Sequence, residues 1–159
     1  MIPRVHTGSL RLRGFTLIEL MVTLAVLVIL ASIAAPNFAR TIAENRTTSA
    51  ANEFLGMLQT ARSEAVRRNR TVELEPSGAG GWHSGVDLWV PDNNDPIRRM
   101  PAMADELAIT TATAAPFLFR PAGDAAAATF QLVHTAGPTR WICVEPTGNA
   151  RVERTGCVE

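Results

Sequence analysis

A run of 19 residues without a charged side chain constrains this chain more than any other feature. The run covers residues 20–38 and has only Thr23, Ser32 and Asn37 as polar members. As an α-helix it would be about 28 Å long, close to the hydrocarbon thickness of a bilayer. Glu19 stands directly before it, and a carboxylate costs about 2.5 to 3.5 kcal/mol at the bilayer centre and less near the edge. We therefore expect a membrane-spanning helix whose carboxylate pairs with a positive charge.

The residues before the run indicate its orientation. Arg4, Arg11 and Arg13 precede Glu19, and no acidic residue lies among them. Positive flanks hold the N-terminus in the cytoplasm and send the rest of the chain outward. A secretory signal peptide and a plain uncleaved anchor are the alternatives. The small residues within 31–35 only loosely fit a signal-peptidase site after the apolar run.

The junction Gly14-Phe15-Thr16-Leu17-Ile18-Glu19-Leu20 resembles the class III leader junction of type IV pilins and type II secretion pseudopilins. The resemblance implies that prepilin peptidase removes residues 1–14 by cutting after Gly14, on the cytoplasmic side, and N-methylates Phe15. Glu19 matches the carboxylate that compensates the new α-amine, in the same subunit or in a neighbour. Four residues separate Phe15 from Glu19, about one helical turn.

Two further residues are assigned to assembly together with Glu19. Thr16 belongs to the same junction. Pro36 lies inside the helical run, where a proline removes one backbone hydrogen bond and bends or loosens the preceding turn. Many pilins carry a proline at this place, and the resemblance implies that the helix melts locally there in the assembled fibre.

The helical pattern continues beyond the membrane to about residue 69, and a different pattern follows. Apolar or small residues recur at spacings of three and four and predict one buried stripe: Thr47, Ala51, Phe54, Leu58, Ala61 and Ala65. Short strands separated by turn residues are then predicted at 71–75, 85–90, 107–111, 117–120, 129–134, 140–145 and 151–154. No room for helices remains between them, so we expect antiparallel pairing in a meander-like domain.

These patterns together predict an α+β, pilin-like fold. A long N-terminal α-helix, membrane-spanning in its first half, would pack on a small antiparallel β domain. We expect three segments: a cleaved leader at 1–14, a transmembrane and assembly half of the helix at 15–39, and an extracytoplasmic head at 40–159.

The β half resembles the GspH/FimT group of minor pilins and pseudopilins. The resemblance rests on loose patterns spread over some 90 residues: Gly81-Trp82, the strand at 85–90, Ile97-Arg98-Arg99, the segment 117–123, the strand at 129–132, and the hairpin from Trp141 to Gly148. It implies a subunit that assembles with other pilins.

Cys143 and Cys157 are the only cysteines, 14 positions apart. Outside the cytoplasm such a pair is usually oxidised. A disulfide closing a loop of this size contributes about 3 kcal/mol in the chain-entropy treatment, and it would hold the C-terminal tail. A redox or metal pair is the alternative, but the CxxC spacing and a nearby histidine cluster are both lacking.

The sequence carries no enzyme signature. His6, His83 and His134 are scattered, and neither an H-E-x-x-H motif nor a nucleophile elbow is present. We therefore expect no catalytic residue, no cofactor and no metal.

The resemblance implies a minor pilin of a type IV pilus, a structural subunit of the initiating or priming complex at the tip. One alternative is the equivalent minor pseudopilin of a type II secretion system. The expected partners are prepilin peptidase, other pilins or pseudopilins, the inner-membrane assembly platform and, before assembly, membrane lipid. The expected location is the bacterial inner membrane, with the head in the periplasm, and then the pilus or pseudopilus.

The other alternative is DNA capture in natural transformation. DNA-binding FimT-like proteins are similar in carrying a Gly-Arg-x-Arg element in the C-terminal hairpin, where this chain has Gly148-Asn149-Ala150-Arg151. Arg151 remains and Arg154 follows, and Arg140 would help them. Without the leader the chain has 12 Arg, no Lys and 15 acidic residues, a net charge of −3. Because DNA affinity depends on neutralised phosphates, this function ranks below assembly.

Overall fold

The computed structural model describes residues 14–91, 93, 95–111 and 113–157. The predicted leader, apart from Gly14, lies outside them. One long helix, α1, covers Leu17–Arg68. The strands that follow within the described residues are β1 Val72–Pro76, β2 Val86–Trp89, β3 Arg98–Met100, β4 Leu107–Thr111, β5 Phe117–Phe119, β6 Ala128–His134, β7 Arg140–Val144 and β8 Ala150–Glu153. A 3₁₀ turn at Trp82–Ser84 precedes β2.

The chain forms two compact units that divide between Phe38 and Ala39. In the first unit every large apolar side chain from Phe15 to Phe38 is exposed. A helix that is apolar on all sides needs an apolar environment. Its length and composition are sufficient for a membrane span.

The polar side chains of the span are hydrogen-bonded to their own helix. The hydroxyl of Thr23 donates to the carbonyl of Leu20 at 2.8 Å. Ser32 donates to the carbonyl of Ile29 at 2.7 Å. These bonds lower the cost of placing a hydroxyl in hydrocarbon, where no water satisfies it. Polar residues are therefore compatible with the predicted span.

In the second unit, α1 packs on the β sheets along one face. The six residues of the predicted stripe are all buried, and Ala43 and Met57 join them. Four of these eight buried residues are alanines. The predicted helix packing is confirmed.

The strands divide into two antiparallel sheets instead of one continuous meander. The first sheet has the order β3-β2-β1-β5, and the second has the order β4-β6-β7-β8. The chain leaves the first sheet after β3, forms β4 in the second, and returns to place β5 beside β1. The antiparallel pairing was predictable from the lack of connecting helices. The exchange between sheets was not, because it depends on long-range pairing.

An aromatic cluster joins the helix to both sheets. The ring of Phe54 lies 4.9 Å from that of Phe130 and 6.0 Å from that of Trp82, in edge-to-face arrangements. Phe117 approaches Phe130 from the first sheet at 5.6 Å. Phe54 and Phe130 are fully buried. This cluster is the centre of the head.

A disulfide joins Cys143 on β7 to Cys157 beyond β8, with the Cα atoms 5.6 Å apart. It holds the C-terminal tail against the second sheet. The tail has few other anchors, since Arg154 and Thr155 are exposed. The predicted cysteine pair is therefore present in the structure.

Candidate functional site

The residues predicted for processing and assembly meet at the start of α1. The helix begins at Leu17, so Thr16 is its N-cap. The Thr16 hydroxyl accepts a hydrogen bond from the backbone N–H of Glu19 at 3.2 Å. A capping hydroxyl of this kind satisfies one of the four free N–H groups that begin every helix. Thr16 therefore fixes where the helix starts.

Glu19 occupies the first turn of the helix. A carboxylate there is favoured by the positive end of the helix dipole. Gly14, Phe15, Thr16 and Glu19 together line one hollow of about 370 Å³. The structure thus brings the predicted cleavage point, the predicted methylated residue and the predicted pairing carboxylate together. Pro36 lies elsewhere, about 25 Å further along the helix at its ordinary rise.

Sequence reasoning missed the cap. Thr16 and Glu19 have the spacing of a capping box, S/T-x-x-E, directly before an apolar run. That pattern predicts a helix start from local sequence alone. Besides the charge of Glu19, the junction therefore contains the hydroxyl that caps the helix.

The arginines predicted for DNA do not form one exposed surface. Arg140 is buried, with 5% of its surface exposed. Its guanidinium donates to the Glu44 carboxylate at 3.1 Å and to the Thr48 hydroxyl at 3.4 Å, both on α1. Arg140 therefore ties β7 to the helix and cannot reach a phosphate without leaving this position.

The other two arginines differ from Arg140 and from each other. Arg151 is half-buried and forms ion pairs with Glu145 and Glu153, whose carboxylates neutralise it. Arg154 is exposed. DNA contact by Arg151 and Arg154 stays a prediction, and the paired acids oppose it.

The described residues contain no group of three or more histidine, cysteine or acidic side chains placed to hold a metal ion. Ion pairs account for most charges of the head. Arg99 on β3 binds the buried Asp87 carboxylate at 2.7 Å, and this partner raises the pKa of Arg99 above its ordinary value. This pair supplies the buried Asp87 carboxylate with a charged partner.

Comparison with protein families gives two matches. Residues 50–148 match the family described as Type II transport protein GspH. Residues 11–35 match the prokaryotic N-terminal methylation motif. A search of curated proteins finds no match.

Solved structures show the same fold. The type IV minor pilin FimU of Pseudomonas aeruginosa is 25% identical, with a TM-score of 0.62, covering 69% of this chain and 89% of that one. The minor pseudopilin EpsH of the Vibrio cholerae Type 2 Secretion System is 11% identical, with a TM-score of 0.54, covering 70% of this chain and 98% of that one. The second likeness is one of fold alone.

Proposed function

The chain belongs to the GspH family, and from this membership we propose that it is a minor pilin, a structural subunit of a type IV pilus. The observation that carries the proposal is the joining of two features by α1. The methylation motif covers residues 11–35, at the start of α1. The GspH match covers residues 50–148, which include the end of α1 and strands of the head. The similar structures are a minor pilin and a minor pseudopilin, and the proposed role is assembly rather than catalysis.

The proposed maturation starts in the inner membrane. Prepilin peptidase cuts after Gly14 and methylates Phe15, while residues 15–39 stay in the bilayer and the head from residue 40 lies in the periplasm. The exposed apolar side chains of the first unit support this arrangement, because lipid would cover them before assembly. The proposed partners are other pilins and the inner-membrane platform that extracts the subunit.

Glu19 is proposed to compensate the new amine of Phe15 during assembly. The shared hollow of Phe15 and Glu19 supports this role. Away from water an unpaired amine is costly, and a carboxylate beside it offsets part of that cost. Pro36 is proposed to let the helix loosen in the fibre, since the amide it lacks leaves a carbonyl of the preceding turn without its usual donor.

A type II secretion pseudopilus is the second candidate. The family description and the fold of EpsH favour it. The higher identity and TM-score of FimU favour the pilus. DNA capture ranks third, because Arg140 is buried and Arg151 is neutralised by two acids.

Mass spectrometry of the subunit isolated from assembled fibres tests the processing step. We expect a chain that begins at N-methylated Phe15. Gly14→Leu should leave full-length precursor in the membrane, whereas Ala31→Leu, within the apolar run, should be processed normally. An intact Met1, or a cut after Ala35, in the fibre form would contradict the proposal.

A further inference from the structure

A groove of about 620 Å³ lies between the last turns of α1 and the turn that joins β7 to β8. We call it the helix–turn groove. It is lined by Gln59, Arg62, Ser63, Val66, Arg67, Gly148, Asn149 and Ala150. None of these residues belongs to the processing junction or to the buried stripe of α1.

Arg62 is held in a fixed position at this groove. Its Nε donates to the carbonyl of Gly123 at 3.0 Å. A Cβ on Gly148 would meet the backbone of Gly123, and a Cβ on Gly123 would lie 2.9 Å from Val66. Two positions with positive φ and no side chain, Gly123 and Gly148, therefore allow the turn to approach the helix and Arg62.

This placement leaves the two terminal nitrogens of Arg62 without a hydrogen-bond partner among the described residues. A guanidinium whose Nε is already bound loses little conformational freedom when its terminal nitrogens bind a carboxylate. The side-chain amide of Asn149, exposed on the opposite wall, adds a neutral donor.

The charge around the groove is positive. Glu64 is the acidic residue nearest in sequence, and it binds Arg67 and Arg68 at 2.5 and 2.6 Å. Hydrogen bonds from Arg68 and then Arg67 lower the pKa of Glu64, so that it stays ionised and neutralises one of the two. Together with Arg62 these four side chains carry a net charge of +2. The groove therefore attracts anions.

The shape of the groove favours a peptide carboxylate over nucleic acid. Polyanion affinity rises with the number of phosphates neutralised, and the one arginine among the described lining residues with available terminal nitrogens, Arg62, reaches few of them. The lining residues Val66 and Ala150 offer apolar contact to the side chains that flank an acidic residue, and a phosphodiester chain has no matching group. An arginine with free terminal nitrogens is well matched to a carboxylate.

We infer that the helix–turn groove binds an acidic segment of a neighbouring pilin subunit, with the terminal nitrogens of Arg62 on its carboxylate. The inference rests on the proposed assembly function and names one contact within it. The segment carries Asp or Glu beside an apolar residue. The contact would select the neighbouring subunit, because the groove repels a segment that carries a positive side chain.

The test uses the full-length chain in cells that assemble the fibre, with a photo-crosslinking amino acid at Gln59. We expect a crosslink to an Asp- or Glu-containing peptide of another pilin, identified by mass spectrometry. Asn149→Asp puts a carboxylate into the groove at an exposed turn position and should lower the yield at least about fivefold. Asn93→Asp is the matched control at an exposed loop position outside the groove, and it should leave the yield unchanged.

The possible failures are distinguishable. A subunit that enters the fibre normally but gives no crosslink, or one insensitive to Asn149→Asp, overturns the groove assignment and leaves the minor-pilin function intact. A wild-type subunit absent from every fibre overturns both. Purified full-length protein that binds labelled duplex DNA, with Arg62→Gln abolishing the binding, would replace the peptide by nucleic acid as the occupant.

Discussion

Glu44 and Arg140 form an ion pair whose two members are unequally buried. The side chain of Arg140 is 6% exposed and that of Glu44 is 52% exposed. Removing the carboxylate would leave a buried guanidinium that cannot lose its charge. Removing the arginine would leave a carboxylate that water can reach. The pair therefore matters to stability chiefly through Arg140.

Glu44→Gln keeps an oxygen that can accept from Arg140 but leaves the buried guanidinium without its counter-charge, and it should destabilise the head by about 1 to 3 kcal/mol. Urea unfolding of a soluble head, residues 40–159, measures this difference. Glu106→Gln is the matched control, because its partner Arg46 lies 3.6 Å away with both side chains about half exposed. That control should cost less than about 1 kcal/mol. Equal costs for the two variants would contradict the account.

The role of Arg140 could not be predicted from the sequence. It stands 96 positions from Glu44, and nothing local indicates that β7 begins beside α1. The role of Thr16 was predictable, because its spacing to Glu19 is a local pattern. Residue roles that depend on neighbours in the chain are predictable, and roles that depend on packing are not.

At the scale of elements, α1 is one helix in two environments. Its first part exposes apolar side chains on all sides, and its later part buries one stripe. Both properties follow from hydropathy and periodicity, so the helix was predictable. β3 was not, because two of its three residues are exposed arginines and give no apolar alternation.

Phe54→Ala tests whether the aromatic cluster holds the helix to the sheets. Phe54 is fully buried against Trp82 and Phe130. The loss of the ring and the cavity it leaves should cost about 3 to 5 kcal/mol in the free energy of unfolding. Leu118→Ala, at an exposed position on β5, is the control and should cost about 0.5 kcal/mol or less. A loss below about 1 kcal/mol at Phe54 would place the main helix contact elsewhere.

The disulfide is an element-scale restraint. Reducing Cys143–Cys157 reopens a loop of 14 residues and should lower the free energy of unfolding by about 3 kcal/mol. The unfolding midpoint of the head in urea, with and without reductant, measures the effect. The double variant Cys143→Ser, Cys157→Ser should show no response to reductant. An unchanged midpoint on reduction of the wild type would mean that the tail is held by other contacts.

At the scale of the whole molecule, we propose that a carboxylate at the start of α1 and a head that contacts neighbouring subunits together make a fibre subunit. The sequence was sufficient to predict the helix, the antiparallel pairing and the family resemblance. The helix–turn groove was not predictable, because it needs Arg62, Gly123 and Gly148 together, and these are brought together only by folding.

The most direct test separates the charge of Glu19 from its place in the helix cap. Glu19→Gln keeps a residue suited to the third helical position and removes the charge. Thr16→Val keeps the charge and removes the hydroxyl that caps the helix, at a cost of about 1 kcal/mol. Quantitative immunoblotting of sheared fibres and of membranes measures incorporation and membrane level together.

We expect Glu19→Gln to be cleaved and inserted at wild-type levels and to be largely absent from fibres, because the amine of Phe15 then lacks its counter-charge. Thr16→Val should retain more incorporation than Glu19→Gln. Incorporation of Glu19→Gln at the wild-type level would contradict the central claim that this carboxylate is what the assembled fibre requires.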